Sequence, residues 1–183
     1  LKLGGRFLSD VVRTGWFEAV KRLRDGFKTL KRHWIAIGYD SRLHGQAIAE
    51  MTARQFMGAG MKVFLFDEAS PFPELSLAVA ALRADRGILI SASHNDKRKN
   101  GYKITNGYGA QLDPAESKAV FATIKEVEND ELLAETSLEE GAAKGRLVWL
   151  GGNQPLKRNY YGAPLLDMHQ VHRDQIKRFF LRP

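Results

Sequence analysis

A chain of 183 residues, 44% apolar and 27% charged, is long enough for one α/β core with some chain left over, and its composition excludes a disordered or fibrous protein. Cysteine is absent, which removes disulfides and thiolate metal sites and fits a reducing cytoplasm. No apolar run approaches the roughly 20 residues of a membrane span and the N-terminus has no signal-peptide core, so a cytoplasmic protein without a membrane partner is expected. The formal charge of +7 favours anionic partners. Its positive charge is spread through 21–32, 97–103 and 157–182 and further single positions, with no single dense tract and no recognised nucleic-acid motif, so nucleic acid is not the expected anion.

Asp10 to Lys31 carries apolar residues at a helical period, predicting an amphipathic helix. "WIAIGY", Trp34 to Tyr39, is apolar and β-rich and suits a buried parallel strand. Gln46 to Met57 reads as a helix stopped by Gly58 and Gly60, and "KVFLF", Lys62 to Phe66, as a second strand. After Pro71 and Pro73, Glu74 to Ala84 reads as a helix, and "GILIS", Gly87 to Ser91, as a third strand. This alternation predicts right-handed crossovers and the α/β class: a three-layer arrangement with a mixed, mostly parallel sheet between helices.

Tyr102 to Thr105 and Ala110 to Leu112 are expected as short strands around the turn "NGYG". Asp113, Pro114 and Glu116 stand in the order of an N-cap, a first-turn proline and an N3 glutamate, predicting a helix to about Val127. Glu128 to Lys144 is polar and acidic, "RLVWL" is a strand and "GGNQP" a linker. From Leu156 the chain reads as the opening helix of another domain, which divides it into 1–150 and 151–183. An unfinished second domain would expose Tyr160, Tyr161, Leu165 and Leu166, so self-association is expected.

Ligands of open α/β sheets bind beyond the carboxyl ends of the strands. Two loops fall there, "GYDSRLHG" after the first strand and "SASHNDKRKNGYK" after the third. Ser93 beside His94 suggests a hydrolase, but neighbours on an extended loop point apart, whereas a catalytic pair needs a hydrogen bond between side chains. No G-x-S-x-G elbow is present either. A serine without a base is a poor nucleophile, yet a phosphorylated serine is a phosphoryl donor, and Arg42 and Lys103 could offset its charge. A plain polar turn at Ser93, His94 and Asn95 stays open on these residues alone.

"GILISASHNDKRKNGYK", with "IAIGYDSR" about fifty residues earlier, resembles the α-D-phosphohexomutase family of phosphoglucomutases and phosphomannomutases, in its N-terminal domain I. The active-site loop of that family matches at Ser93, His94 and Asn95, and its Asn-Gly-aromatic-Lys unit at Asn100, Gly101, Tyr102 and Lys103. "NGYGAQL" is similar to the "NGAQI" of the phosphoglucomutase/phosphopentomutase branch. The resemblance covers about Trp34 to Val127. It implies an isomerase working by intramolecular phosphoryl transfer on a hexose or pentose phosphate in carbohydrate metabolism. Ser93 would carry the phosphate, Lys103 would act as acid and base, and His94 would orient or shuttle a proton. Arg42, Asn95 and Asn100 would bind phosphate or substrate. Mg2+ would bridge the phosphate on Ser93 to three aspartates, and a sugar 1,6-bisphosphate would act as activator.

Departures from the family pattern narrow the expectation. An Asp-Gly-Asp-x-Asp-Arg metal loop is absent, and Glu126, Glu128 and Asp130 read as solvated charge. The N-terminal Gly-Thr-x-Gly-x-Arg-Gly element is not recognisable in "LKLGGRFLSD", and Asp96 replaces the proline after Ser-His-Asn. Lys97, Arg98 and Lys99 are expected to offset that carboxylate. The resemblance therefore implies a phosphoserine-bearing domain that is inactive without its C-terminal domains. The alternative is a degenerate, non-catalytic domain binding a sugar phosphate or a protein partner.

Overall fold

The structure is a computed structural model that describes residues 33–126, 135–152 and 159–179. The helix expected over Asp10 to Lys31, the pair Glu128 and Asp130, and most of the "GGNQP" linker lie outside the described residues. No helix among the described residues is long and apolar enough to cross a membrane.

Among the described residues, eleven elements follow in chain order: β1 (Trp34–Tyr39), α1 (Gly45–Gly58), β2 (Lys62–Phe66), α2 (Phe72–Leu82), β3 (Arg86–Ile90), β4 (Tyr102–Thr105), α3 (Pro114–Glu126), α4 (Leu138–Ala143), β5 (Leu147–Leu150), β6 (Leu165–Leu166) and α5 (Met168–Lys177). The strands form one six-stranded sheet in the order β4-β3-β1-β2-β5-β6. Every neighbouring pair is parallel except β3 with β4. The expected mixed, mostly parallel sheet between helices is therefore present.

Strand alternation assigns the two cores. Ile35, Ile37 and Tyr39 of β1 face α1, whose Ala49, Ala53 and Met57 meet them together with Val63, Leu65, Ile88 and Trp149. Ala36, Phe64, Phe66, Leu89 and Leu150 point to the opposite side and pack under α2 through Leu75, Ala78, Val79 and Leu82. Each large side chain so buried contributes roughly 1.5–3 kcal/mol.

Local chemistry sets the helix ends. Asp113 and Glu116 form a reciprocal capping box at the start of α3, with Glu116 N–H donating to Asp113 Oδ1 at 2.8 Å and Asp113 N–H to Glu116 Oε2 at 3.1 Å. In the "NGYG" turn, Gly109 has φ 81, and a Cβ there would overlap the main chain of Ser76 on α2. Only glycine suits both demands. Ala110 to Leu112 contributes a single bridge, Thr105 to Gln111, in place of a strand.

Two stretches take a form that their composition did not announce. The polar stretch before β5 contains α4, capped by the Ser137 hydroxyl accepting from Glu140 N–H at 3.1 Å. Beyond residue 150, where the second domain is expected to begin, β6 pairs in parallel with β5, through Trp149 with Leu165 and Leu150 with Leu166. Leu166, Met168 and Val171 join the core under α2, while Tyr160 and Leu165 pack on the core under α1, so the apolar surface foreseen there is largely covered. Tyr161 alone of the four is exposed. Without β6, β5 would end the sheet with its main-chain groups unpaired, and β6 takes that edge.

Candidate functional site

Parallel strands β1 and β3 lie side by side in the middle of the sheet, but the chain leaves them in opposite directions, β1 toward β2 and β3 toward β4. Such divergence opens a crevice at the carboxyl ends. Loops 40–44 and 91–101 meet there, joined by Asp40 N–H to Ile90 O at 3.1 Å and Leu43 N–H to Lys97 O at 3.2 Å.

Ser93 sits at the apex of a tight turn. Asn95 closes the turn twice on the Ala92 carbonyl, by its N–H at 3.1 Å and its Nδ2 at 2.9 Å. Ser93 takes φ 58, the left-handed region, at a cost of about 1–2 kcal/mol for a residue with a Cβ. The surroundings hold it there: its N–H donates to Ser91 Oγ at 3.2 Å, and its carbonyl accepts from Arg42 Nη2. The side chain is exposed, and the hydroxyl has no hydrogen bond among the described residues. His94 is exposed beside it without a hydrogen bond to it, so no serine–histidine pair forms.

Arg42 is the organiser of the loop. Nη1 faces the carbonyls of Asn95 at 2.8 Å, Asp96 at 2.9 Å and Lys99 at 3.2 Å, while Nε holds Asp40 Oδ2 at 3.0 Å. Its guanidinium, expected from the sequence to present positive charge to a phosphate, is directed at main-chain oxygens and is only 9% exposed. The planar fork makes this possible, because a lysine has no comparable fixed array of donors. Asn100 adds a second tie, Nδ2 to Leu43 O at 2.8 Å, while its Oδ1 is buried without a hydrogen bond among the described residues.

Asp96 is answered by one cation of the three expected. Arg98 donates to it from N–H and Nε, both at 2.9 Å, and this holds the carboxyl below the ordinary aspartate range. The same carboxylate raises Arg98. Lys97 and Lys99 remain exposed on the rim of the loop. Lys103 lies on β4 opposite Leu89, so it shares the α2 face of the sheet, half-buried and without a hydrogen bond or ion pair among the described residues. The structure thus brings Arg42, Asn95 and Asn100 onto the serine loop through main-chain contacts. It shows no direct bond from His94 or Lys103 to Ser93.

Mg2+ is not fitted by the described residues around Ser93. The two aspartates there, Asp40 and Asp96, are each engaged by an arginine. Among the described residues, a group of three potential ligands gathers only at Asp67, Glu68 and His169.

Sequence reasoning missed Asp40 and Ser91 as supports of the loop. Asp40 was legible, because its side chain accepts from the N–H of Arg42 two residues on, the local spacing of an Asx turn.

Residues 17–131 match the family model described as "Phosphoglucomutase/phosphomannomutase, alpha/beta/alpha domain I". Human phosphopentomutase is 34% identical over 110 residues, which is 57% of this chain and 18% of that protein. Human glucose 1,6-bisphosphate synthase is 34% identical over 164 residues, covering 86% of this chain and 24% of that protein. The chain therefore spans less than a quarter of these relatives. A crystal structure of a Thermus thermophilus protein assigned as a phosphomannomutase superposes with a TM-score of 0.51 at 26% identity, over 69% of this chain and 29% of that one.

Proposed function

The chain belongs to the phosphoglucomutase/phosphomannomutase family through its α/β/α domain I, and on that premise we propose that Ser93 is the phosphoryl-carrying residue of a phosphosugar mutase. The observation that carries the reading is the exposed hydroxyl of Ser93, without a hydrogen bond among the described residues, at the apex of a turn whose left-handed backbone is held by Arg42 and Asn95. A nucleophile that alternates between a hydroxyl and a phosphate ester needs room in front and rigidity behind.

In the proposed reaction, phosphorylated Ser93 donates to a free hydroxyl of a hexose or pentose phosphate. The Oγ–P bond breaks as the sugar O–P bond forms, and Lys103 as base and then acid relays the proton of the attacking hydroxyl to the departing Ser93 Oγ. The bisphosphate then returns its other phosphoryl group to Ser93, as the Ser93 hydroxyl proton passes through Lys103 to the released sugar oxygen. Lys97 and Lys99 would attract the roughly −1.5 to −2 charge of a phosphoserine. His94, beside the apex, would help orient the substrate. The Mg2+ expected for such transfer would need carboxylates from outside the described residues, and no step here depends on it.

Intact-mass spectrometry after incubation with glucose 1,6-bisphosphate tests this. One phosphate is expected on the chain and none on Ser93→Ala. A chain that takes no phosphate, or takes it equally in Ser93→Ala, would overturn the assignment. The first of these results would favour a degenerate domain that only binds sugar phosphate.

A further inference from the structure

Away from the serine loop, at the carboxyl end of β2, a second group of polar side chains gathers, half-buried. Asp67 and Glu68 follow β2, and His169 is the second residue of α5; one ligand atom from each lies within 4.8 Å of the others. His169 Nε2 is 2.8 Å from Glu68 Oε1, and its Nδ1 lies against Glu74 Oε1. Glu74 is a carboxylate of α2 with 4% of its side chain exposed.

Three atoms in this corner are buried without a hydrogen bond among the described residues: Asp67 Oδ1, Glu74 Oε1 and His169 Nε2. The contacts between imidazole and carboxylates are therefore ion pairs by distance that lack the alignment of hydrogen bonds. Asp67 uses its other oxygen to accept from Tyr160 Oη at 2.7 Å, which turns Oδ1 away from the tyrosine. Gly151 gives that oxygen its space, since a Cβ at this position would overlap the Asp67 carboxylate. Three carboxylates around one imidazole leave an excess of negative charge. His172 Nδ1 lies 3.9 Å from Glu74 Oε2.

We propose that Asp67, Glu68 and His169 bind a divalent transition-metal ion, with Zn2+ the best match. One imidazole and two carboxylates form a three-ligand set of the kind Zn2+ accepts with a further open position, and the imidazole makes it a poor site for Mg2+. Glu74 at Nδ1 has the place of the carboxylate that orients a metal-bound histidine and raises its basicity. The ion would tie the end of β2 to the start of α5, supplying the positive charge that the corner lacks. This reading is independent of the role proposed for Ser93.

Calorimetric titration of the full 183-residue chain with ZnCl2 tests it. One saturating equivalent is expected, weakened roughly tenfold or more in Glu68→Gln, Asp67→Asn and Glu74→Gln, with Tm raised by several degrees when Zn2+ exceeds Kd about a hundredfold. Glu68 is 44% exposed, so Glu68→Gln should fold normally, which circular dichroism would check. No saturable uptake, or uptake equal in wild type and Glu68→Gln, would overturn the proposal. So would uptake lost in His94→Gln and retained in Glu68→Gln.

Discussion

At the carboxyl end of β3 a guanidinium is held by main-chain carbonyls, whereas at the carboxyl end of β2, about 10 Å away across two strand spacings, an imidazole is held by carboxylates. The first arrangement leaves no net charge inside the loop, because neutral dipoles solvate Arg42 and its own carboxylate, Asp40, sits at Nε. It shapes the loop and leaves the lysines of the rim free to meet an anion. The second gathers like charges around one cationic group, which favours whatever adds positive charge, a proton or a metal. The same sheet edge therefore carries one corner suited to anions and one suited to cations.

Removing the organiser of the first corner should have the largest effect on stability. Arg42→Ala loses four carbonyl partners and leaves Asp40 without its ion pair, for roughly 2–3 kcal/mol in urea denaturation and faster amide exchange across 93–99. Arg42→Lys should recover little of this, since a point charge cannot span those carbonyls. Unchanged exchange in Arg42→Ala would remove the distinction between the corners.

The second corner should respond to pH where the first does not. The Glu74 carboxylate at Nδ1 raises the pKa of His169 above the ordinary imidazole value, against burial, which lowers it. A raised value in the folded state means that the protonated imidazole stabilises the fold fully below about pH 6.5, and that this contribution is lost as pH rises through the folded value. In metal-free buffer, denaturation midpoints should fall over that window in wild type and stay flatter in His169→Gln. A wild-type profile as flat as the variant's would count against the ion pairs.

A smaller loss is expected from Tyr160→Phe, about 1 kcal/mol by denaturation, because Asp67 loses its hydrogen bond while the ring keeps its edge contact with Trp149. The mildest change belongs to Arg98→Ala. NMR titration should show the Asp96 carboxyl moving up toward its ordinary range, with little change in stability, since both side chains are solvated.

Where information is local, the sequence alone determined the outcome. β1, β2 and β4 occupy the ranges their apolar pattern marks, and the reciprocal bonds of Asp113 and Glu116 follow from spacing three residues apart. The serine loop was likewise legible, both as an element beyond β3 and by its motif. Only the tertiary structure decided that Arg42 would spend its donors on carbonyls more than fifty positions away, that β6 would extend the sheet, and that His169 would meet Asp67, Glu68 and Glu74. Helical and strand periods report which face of an element is buried, over a few residues. Which elements become neighbours depends on sheet order and crossover direction, and those contacts join positions far apart in the chain with no period to announce them.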